Sequence, residues 1–196
     1  LRIEVDADDP ALPAYQAIDL PPGARLVVWD VWRPCVHKLE VAVEQEVGSY
    51  FALGFMGDDH VPRTVGWAQR WVQVLQEMRT GIVYGADGYQ DETLPTAWAM
   101  TTDIVRALGR MVPAKVEHLF CDTALVALGK EADCIRYLPD TMIEHMHYIV
   151  GKSTWDEQYE RFNNPTQWGR DEATYIAWHD EGQMAADVAT VRALMQ

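Results

Sequence analysis

The stretch Tyr50-Phe51-Ala52-Leu53-Gly54-Phe55-Met56-Gly57-Asp58-Asp59-His60 limits the fold more than any other part of the chain. An apolar run of strand length stops at a glycine, and two carboxylates and an imidazole follow at once. A buried strand delivers its end to the edge of a sheet, where ligands bind in open α/β folds. Two adjacent aspartates repel each other, and they are best tolerated where a cation or several hydrogen-bond donors share the site. A solvated Asp-Asp turn after a strand is the plain alternative.

Around this stretch, apolar patterning and breaker residues predict alternating elements. Strands are expected over 1–6, 25–29, 50–56, 82–84, 96–100, 135–138 and 142–144. Helices are expected over 37–47, 67–79, 104–108 and 123–129. Trp71, Val74, Leu75 and Met78 fall on one face of the second helix and read as core. The early order β, loop, β, α, β suits an α/β layered fold with parallel pairing. From Thr154 the chain turns helical and polar. Thr154-Trp155-Asp156-Glu157 reads as a capping pattern for a helix to Phe162, Asn163-Asn164-Pro165 breaks it, and 171–195 forms one or two further helices. The expected division is an α/β domain over 1–152 and a helical arm over 153–196. That arm would serve as a lid, a packing arm or a homo-oligomer interface. A chain that opens directly in a strand, without an initiator Met, is expected to lack a preceding segment.

A net charge of −14 disfavours a large nucleic-acid or anionic-membrane footprint. No apolar stretch is long enough to span a bilayer, and no signal peptide is visible. Three cysteines, Cys35, Cys121 and Cys134, lack metal-type spacing and read as small core residues of a reduced, cytoplasmic protein.

Four groups of residues could carry chemistry. Asp58-Asp59-His60 is a plausible seat for a metal–diphosphate complex, since hard cations take carboxylate oxygens and complete their shell with phosphate and water. His60 could be a further ligand, but a side chain expected to point away from its neighbour's better suits an outer or surface role. In Glu144-His145-Met146-His147, an extended backbone puts His145 and His147 on one face, half of a transition-metal site or simply two hydrogen-bonded histidines. Within His118-Leu119-Phe120-Cys121-Asp122, Asp122 can be a general base or a helix cap. Apolar neighbours favour an inert Cys121 thiol. Asp6-Ala7-Asp8-Asp9-Pro10 has the look of a metal motif, or of a strand end whose acid binds a base or ribose. There is no phosphate-cradling glycine loop and no nucleophile elbow.

Taken in order, Asp8-Asp9-Pro10, Gly57-Asp58-Asp59-His60 with Thr64-Val65-Gly66-Trp67, Gly88-Tyr89-Gln90, Leu94-Pro95-Thr96, His118 to Asp122, Tyr137-Leu138-Pro139-Asp140 and Glu144 to His147 resemble a nucleotide-sugar glycosyltransferase of the GT-A fold, in the family 2-like group of small phage and bacterial enzymes. The resemblance covers roughly residues 1–160, without the family's first strand, base-binding loop and following helix. It implies a Rossmann-like mixed, mostly parallel sheet flanked by helices, with a helical C-terminal arm. It further implies a Mn2+ or Mg2+ cofactor held by Asp59 with His147 or His145, and a donor held by Asp8, Asp9, Asp58 and Trp67. Asp122 would be the catalytic base of an inverting reaction. The donor would be a nucleoside-diphosphate sugar and the acceptor a glycan, protein or nucleotide. Where the family more often carries a third acid, this chain has His60. The rival expectations are a metal-dependent hydrolase or phosphotransferase, and a degenerate transferase fold kept as a binding or structural protein.

Overall fold

The computed structural model describes residues 1–155 and 157–196. The chain opens with β1 (Arg2–Asp6), a short α1 (Leu12–Gln16) and β2 (Arg25–Trp29), and the two strands pair in parallel as a small separate sheet. Next come α2 (Cys35–Glu46), β3 (Ala52–Phe55), β4 (His60–Pro62) and α3 (Trp67–Met78). An ion pair between Lys38 and Asp6 ties α2 to β1. The middle of the chain supplies β5 (Ile82–Ala86), β6 (Trp98–Thr101), α4 (Thr102–Leu108), α5 (Cys121–Ala132) and β7 (Ile135–His145). Five strands form one curled sheet in the order β3-β6-β5-β7-β4.

The expected mixed α/β class holds, with helices on the sheet and a helical C-terminus, but the sheet is not mostly parallel. Only β5–β7 pairs in parallel, while β3–β6, β5–β6 and β4–β7 are antiparallel. Connection geometry explains this. A parallel pair needs a crossover, and α5 supplies one before β7. Between β5 and β6 the chain only folds back through a loop, so those strands run in opposite directions.

One link sets the curvature. Residues 56–59 join β3 at one edge to β4 at the other. From Phe55 to His60 the chain can cover at most about 18 Å. Crossing a flat sheet from first strand to fifth takes about 19 Å. The sheet must therefore curl, and the Gly57-Asp58-Asp59 turn spans its open end.

β5 and β6 are buried on both sides, so side-chain alternation divides the core in two. Ile82, Tyr84, Trp98 and Met100 face a cluster with Ile104, Leu125, Leu128, Trp178 and Val191. Val83, Ala97 and Ala99 face the other way, against Trp71, Val74 and Leu75 of α3. The expected core face of α3 is correct, with Met78 packed at its margin. Pro139-Asp140 does not divide two strands, as the sequence suggested. It is an irregularity within β7, where the partner of Gly85 is Leu138 and the partner of Ala86 is Met142. Any Cβ at Gly85 would run into the Thr141 carbonyl, so the glycine is what lets β7 bulge against β5.

The C-terminal part comprises α6 (Glu157–Phe162), α7 (Pro165–Asp180) and α8 (Gln183–Leu194). The capping pattern expected at Thr154 to Glu157 passes through Asp156, which lies outside the described residues. The expected start of the next helix at 171 is too late. Asn164 caps α7 through the N–H groups of Thr166 and Gln167, with Pro165 in the first turn. Asn-Pro is thus a start signal as well as a break. Trp178, Val188 and Val191 belong to the main core, so α7 and α8 are structural walls of the α/β unit. Asp187 inside this wall accepts hydrogen bonds from Arg110, Trp178 and Gln183. Replacing Trp178 by Ala should lower stability by about 3–5 kcal/mol within a single urea transition. An unchanged midpoint would show that the helices are an appended arm after all.

Candidate metal centre

The strand directions bring one end of β3, β5 and β7 together. β5 and β7 run in parallel, and β4 starts where β7 ends, with His60 paired to His145. Asp59, His60, Asp87 and His145 therefore gather at one rim of the sheet, the place where ligands bind in open α/β folds.

Asp59 is the centre of the group. Its Oδ2 lies 3.0 Å from His145 Nε2 and accepts the Tyr159 hydroxyl at 3.1 Å. Its Oδ1 lies 3.0 Å from His60 Nδ1, without the alignment of a hydrogen bond. The His60 and His145 rings stack with centroids 4.3 Å apart. Ligand atoms of Asp59, His60 and His145 all lie within 4.8 Å of one another, a set that can hold a cation. The donor atoms fit one, because both ring nitrogens of His60 are buried without hydrogen bonds and His145 turns its Nε2 to Asp59.

His60 is the main correction at this site. The expectation that it points away from Asp59 assumed strand alternation, but Asp59 belongs to the turn before β4, where alternation does not apply. The His60 side chain is only 4% exposed.

Electrostatics are dominated by shared protons. Burial alone would lower the pKa of His145, yet the carboxylates of Asp59 and Asp87 outweigh it and raise the value to about 9. Burial would raise Asp59, but the hydrogen bond and charge of His145, with the His60 ring beside it, hold it far below the usual carboxylate range. Asp87 sits 3.6 Å from His145 Nδ1, an electrostatic contact rather than a hydrogen bond. Three loop N–H groups, from Tyr89, Gln90 and Asp91, donate to Asp87 Oδ1, and the Thr96 hydroxyl donates to Oδ2. A carboxylate fixed in this way behind a histidine orients its ring.

The remaining expected residues are distributed around this centre. Asp58 is exposed beside Asp59, and its Oδ2 lies 3.5 Å from the Tyr15 hydroxyl. Partial desolvation, then the charges of Asp59 and Asp9, raise its pKa. Asp9 binds the Ala11 N–H at 2.7 Å, and Asp8 is 3.8 Å from Arg161. The end of β1 thus faces Asp58. His147 is not part of the three-residue set. Its Nδ1 accepts the Ile149 N–H at 3.2 Å, and its ring stacks on Tyr89. Trp67 packs against Trp71 and the α3 side of the core.

Asp122 occupies the first turn of α5, with Phe120 in the left-handed region before it (φ 64°). Trp168 and Tyr175 of α7 hold the Phe120 ring. The Asp122 carboxylate accepts the Thr123 N–H at 2.7 Å. Burial raises its pKa, and the charge on His145 partly opposes this, so the two groups sense each other. Asp171 of α7 accepts the N–H groups of Glu117, His118 and Leu119, which fixes the loop leading into α5. His118 stacks on Phe162 at 4.1 Å, and burial lowers its pKa to about 4, so it is neutral. Burial pushes the Cys35 thiol up to about 11 and raises Cys121 well above the ordinary thiol range, in keeping with inert thiols.

Sequence reasoning missed Asp87 and Tyr159. Asp87 carried the signal of an aspartate closing a buried strand. Tyr159, in a polar helix, carried none.

A cation entering this site has to displace the proton that His145 holds below about pH 9. Titration with Mn2+ near pH 7, in two buffers of different ionisation enthalpy, should show about one proton released per cation. Affinity should rise about 100-fold from pH 6 to pH 8. A pH-independent affinity would rule out His145 as a ligand.

No family model, curated protein or solved structure matches this chain.

Proposed function

We propose that the chain is a divalent-cation-dependent glycosyltransferase, with GT-A-like architecture, that moves a sugar from a nucleoside-diphosphate sugar to an acceptor hydroxyl with inversion. One observation carries the proposal: a cluster able to hold a cation and a half-buried acid, Asp122, lie within electrostatic reach at one rim of the sheet. The ordered motifs that resemble this enzyme group support it.

Asp59, His60 and His145 would hold the cation. When bound, it supplies positive charge that favours departure of a diphosphate. Asp122 takes the acceptor hydroxyl proton. Its raised pKa brings it closer to working pH than an exposed aspartate. The acceptor oxygen forms a bond to the anomeric carbon as the bond from that carbon to the diphosphate oxygen breaks. Fixing of the 117–119 loop by Asp171, and of Phe120 by Trp168 and Tyr175, holds the start of α5 in place. The end of β1, with Asp8 and Asp9 next to Asp58, is suited to the base and ribose of the donor. Trp67, packed in the core, is left out of this reading.

The test is a panel of nucleotide sugars with Mn2+ or Mg2+ and product detection. Turnover is expected, giving a β-linked product from an α-linked donor by NMR. Asp122→Asn should reduce it by about 10²–10⁴-fold with cation affinity retained. Phosphoester cleavage without use of any sugar donor would favour a hydrolase instead.

A further inference from the structure

We infer that this site selects a nitrogen-binding transition dication, of the Mn2+, Co2+ or Zn2+ kind, over Mg2+, and that His60 sets the selectivity. The inference rests on the cation-site part of the function proposed above, and not on glycosyl transfer.

An acid-rich motif at the end of a strand presents oxygen, the donor that Mg2+ prefers while keeping most of its water. This chain presents one carboxylate and two imidazoles. The second carboxylate of the Asp-Asp pair does not join the set, since Asp58 is exposed and lies beside the Tyr15 hydroxyl. Imidazole nitrogen suits later first-row ions, and two histidines with one carboxylate leave the other positions of the ion open to substrate.

His60 is placed as a ligand would be. Its ring is sealed from solvent, neither nitrogen has a hydrogen bond, and Nδ1 stands 3.0 Å from Asp59 Oδ1. Stacking on His145 holds it there. A buried imidazole serving only to pack would normally give at least one nitrogen a partner. Asp87 stands behind His145 in the manner of the outer carboxylates that orient metal-bound histidines. His147, the other histidine nearby, spends its Nδ1 on a backbone N–H.

The experiment uses the whole chain, stripped with chelator. It is titrated calorimetrically with MgCl2, MnCl2 and CoCl2 at one pH and ionic strength. Affinity should rise in that order, with Co2+ at least about 100-fold tighter than Mg2+. His60→Asp, which keeps a donor but exchanges nitrogen for oxygen, should weaken Co2+ by about tenfold or more and leave Mg2+ equal or tighter. Pulsed EPR of Mn2+ on the unaltered protein should show two coupled imidazole nitrogens, a readout that needs no variant. Equal affinities for Mg2+ and Co2+, an unchanged ratio in His60→Asp, or a single coupled nitrogen would overturn the inference. Sugar transfer supported equally by Mg2+ would overturn the selectivity and leave the transferase standing. Failure to bind any of the three ions would overturn both.

Discussion

A link of four residues has to join opposite edges of a five-stranded sheet, and much of the structure answers to that requirement. Because residues 56–59 are barely long enough, the sheet curls and its two edge strands are drawn toward each other at this rim. Side chains from β4, β5 and β7 that would be spread along a flat edge instead converge. The turn that closes the rim also carries Asp58 and Asp59. The short link thus both curves the sheet and supplies the central carboxylate of the candidate site.

Around that rim, structural and chemical duties are divided between separate carboxylates. Asp171 and Asp187 are buried and spent on backbone, amide and indole N–H groups or on Arg110. Asp87 is spent mostly on its own loop, with its remaining influence directed at His145. Asp59 faces two imidazoles and a phenol, all of them neutral or displaceable partners for an oxygen that a cation can claim. Asp122 accepts the N–H and hydroxyl of Thr123 in its own helix and feels the attraction of a nearby cationic ring.

How much of this could be read from the sequence follows from which forces are local. Helices with a clear apolar face, such as α3, were legible because periodicity and burial agree there. The end of the third strand was legible because Gly-Asp-Asp is a local signal, and it led to Asp59. His145 was named for its spacing. The backbone stays extended through His147, and the two rings lie 4.9 Å apart as the spacing suggested, but His147 gives its Nδ1 to the Ile149 N–H and stays outside the three-residue set. Strand direction was not legible, since parallel and antiparallel partners have similar side-chain patterns and differ in the path between them. β7 was read as two strands because Pro-Asp is a turn signal, and a bulge uses the same residues. Tyr159 joins the site through a contact 100 positions away, which no local pattern encodes.

The hydrogen bond from Tyr159 to Asp59 has a thermodynamic corollary. A cation that takes Asp59 Oδ2 would compete there with the Tyr159 hydroxyl, and occupancy of the rim and docking of α6 would then be linked functions. Such linkage is reciprocal: whatever weakens the grip of α6 tightens the site by the same factor that loading the site loosens α6. Phe162 and Arg161 carry that helix onward to His118, Trp32 and Asp8. Through that oxygen the state of the rim would reach the segments that follow β1 and β2, at Asp8 and Trp32.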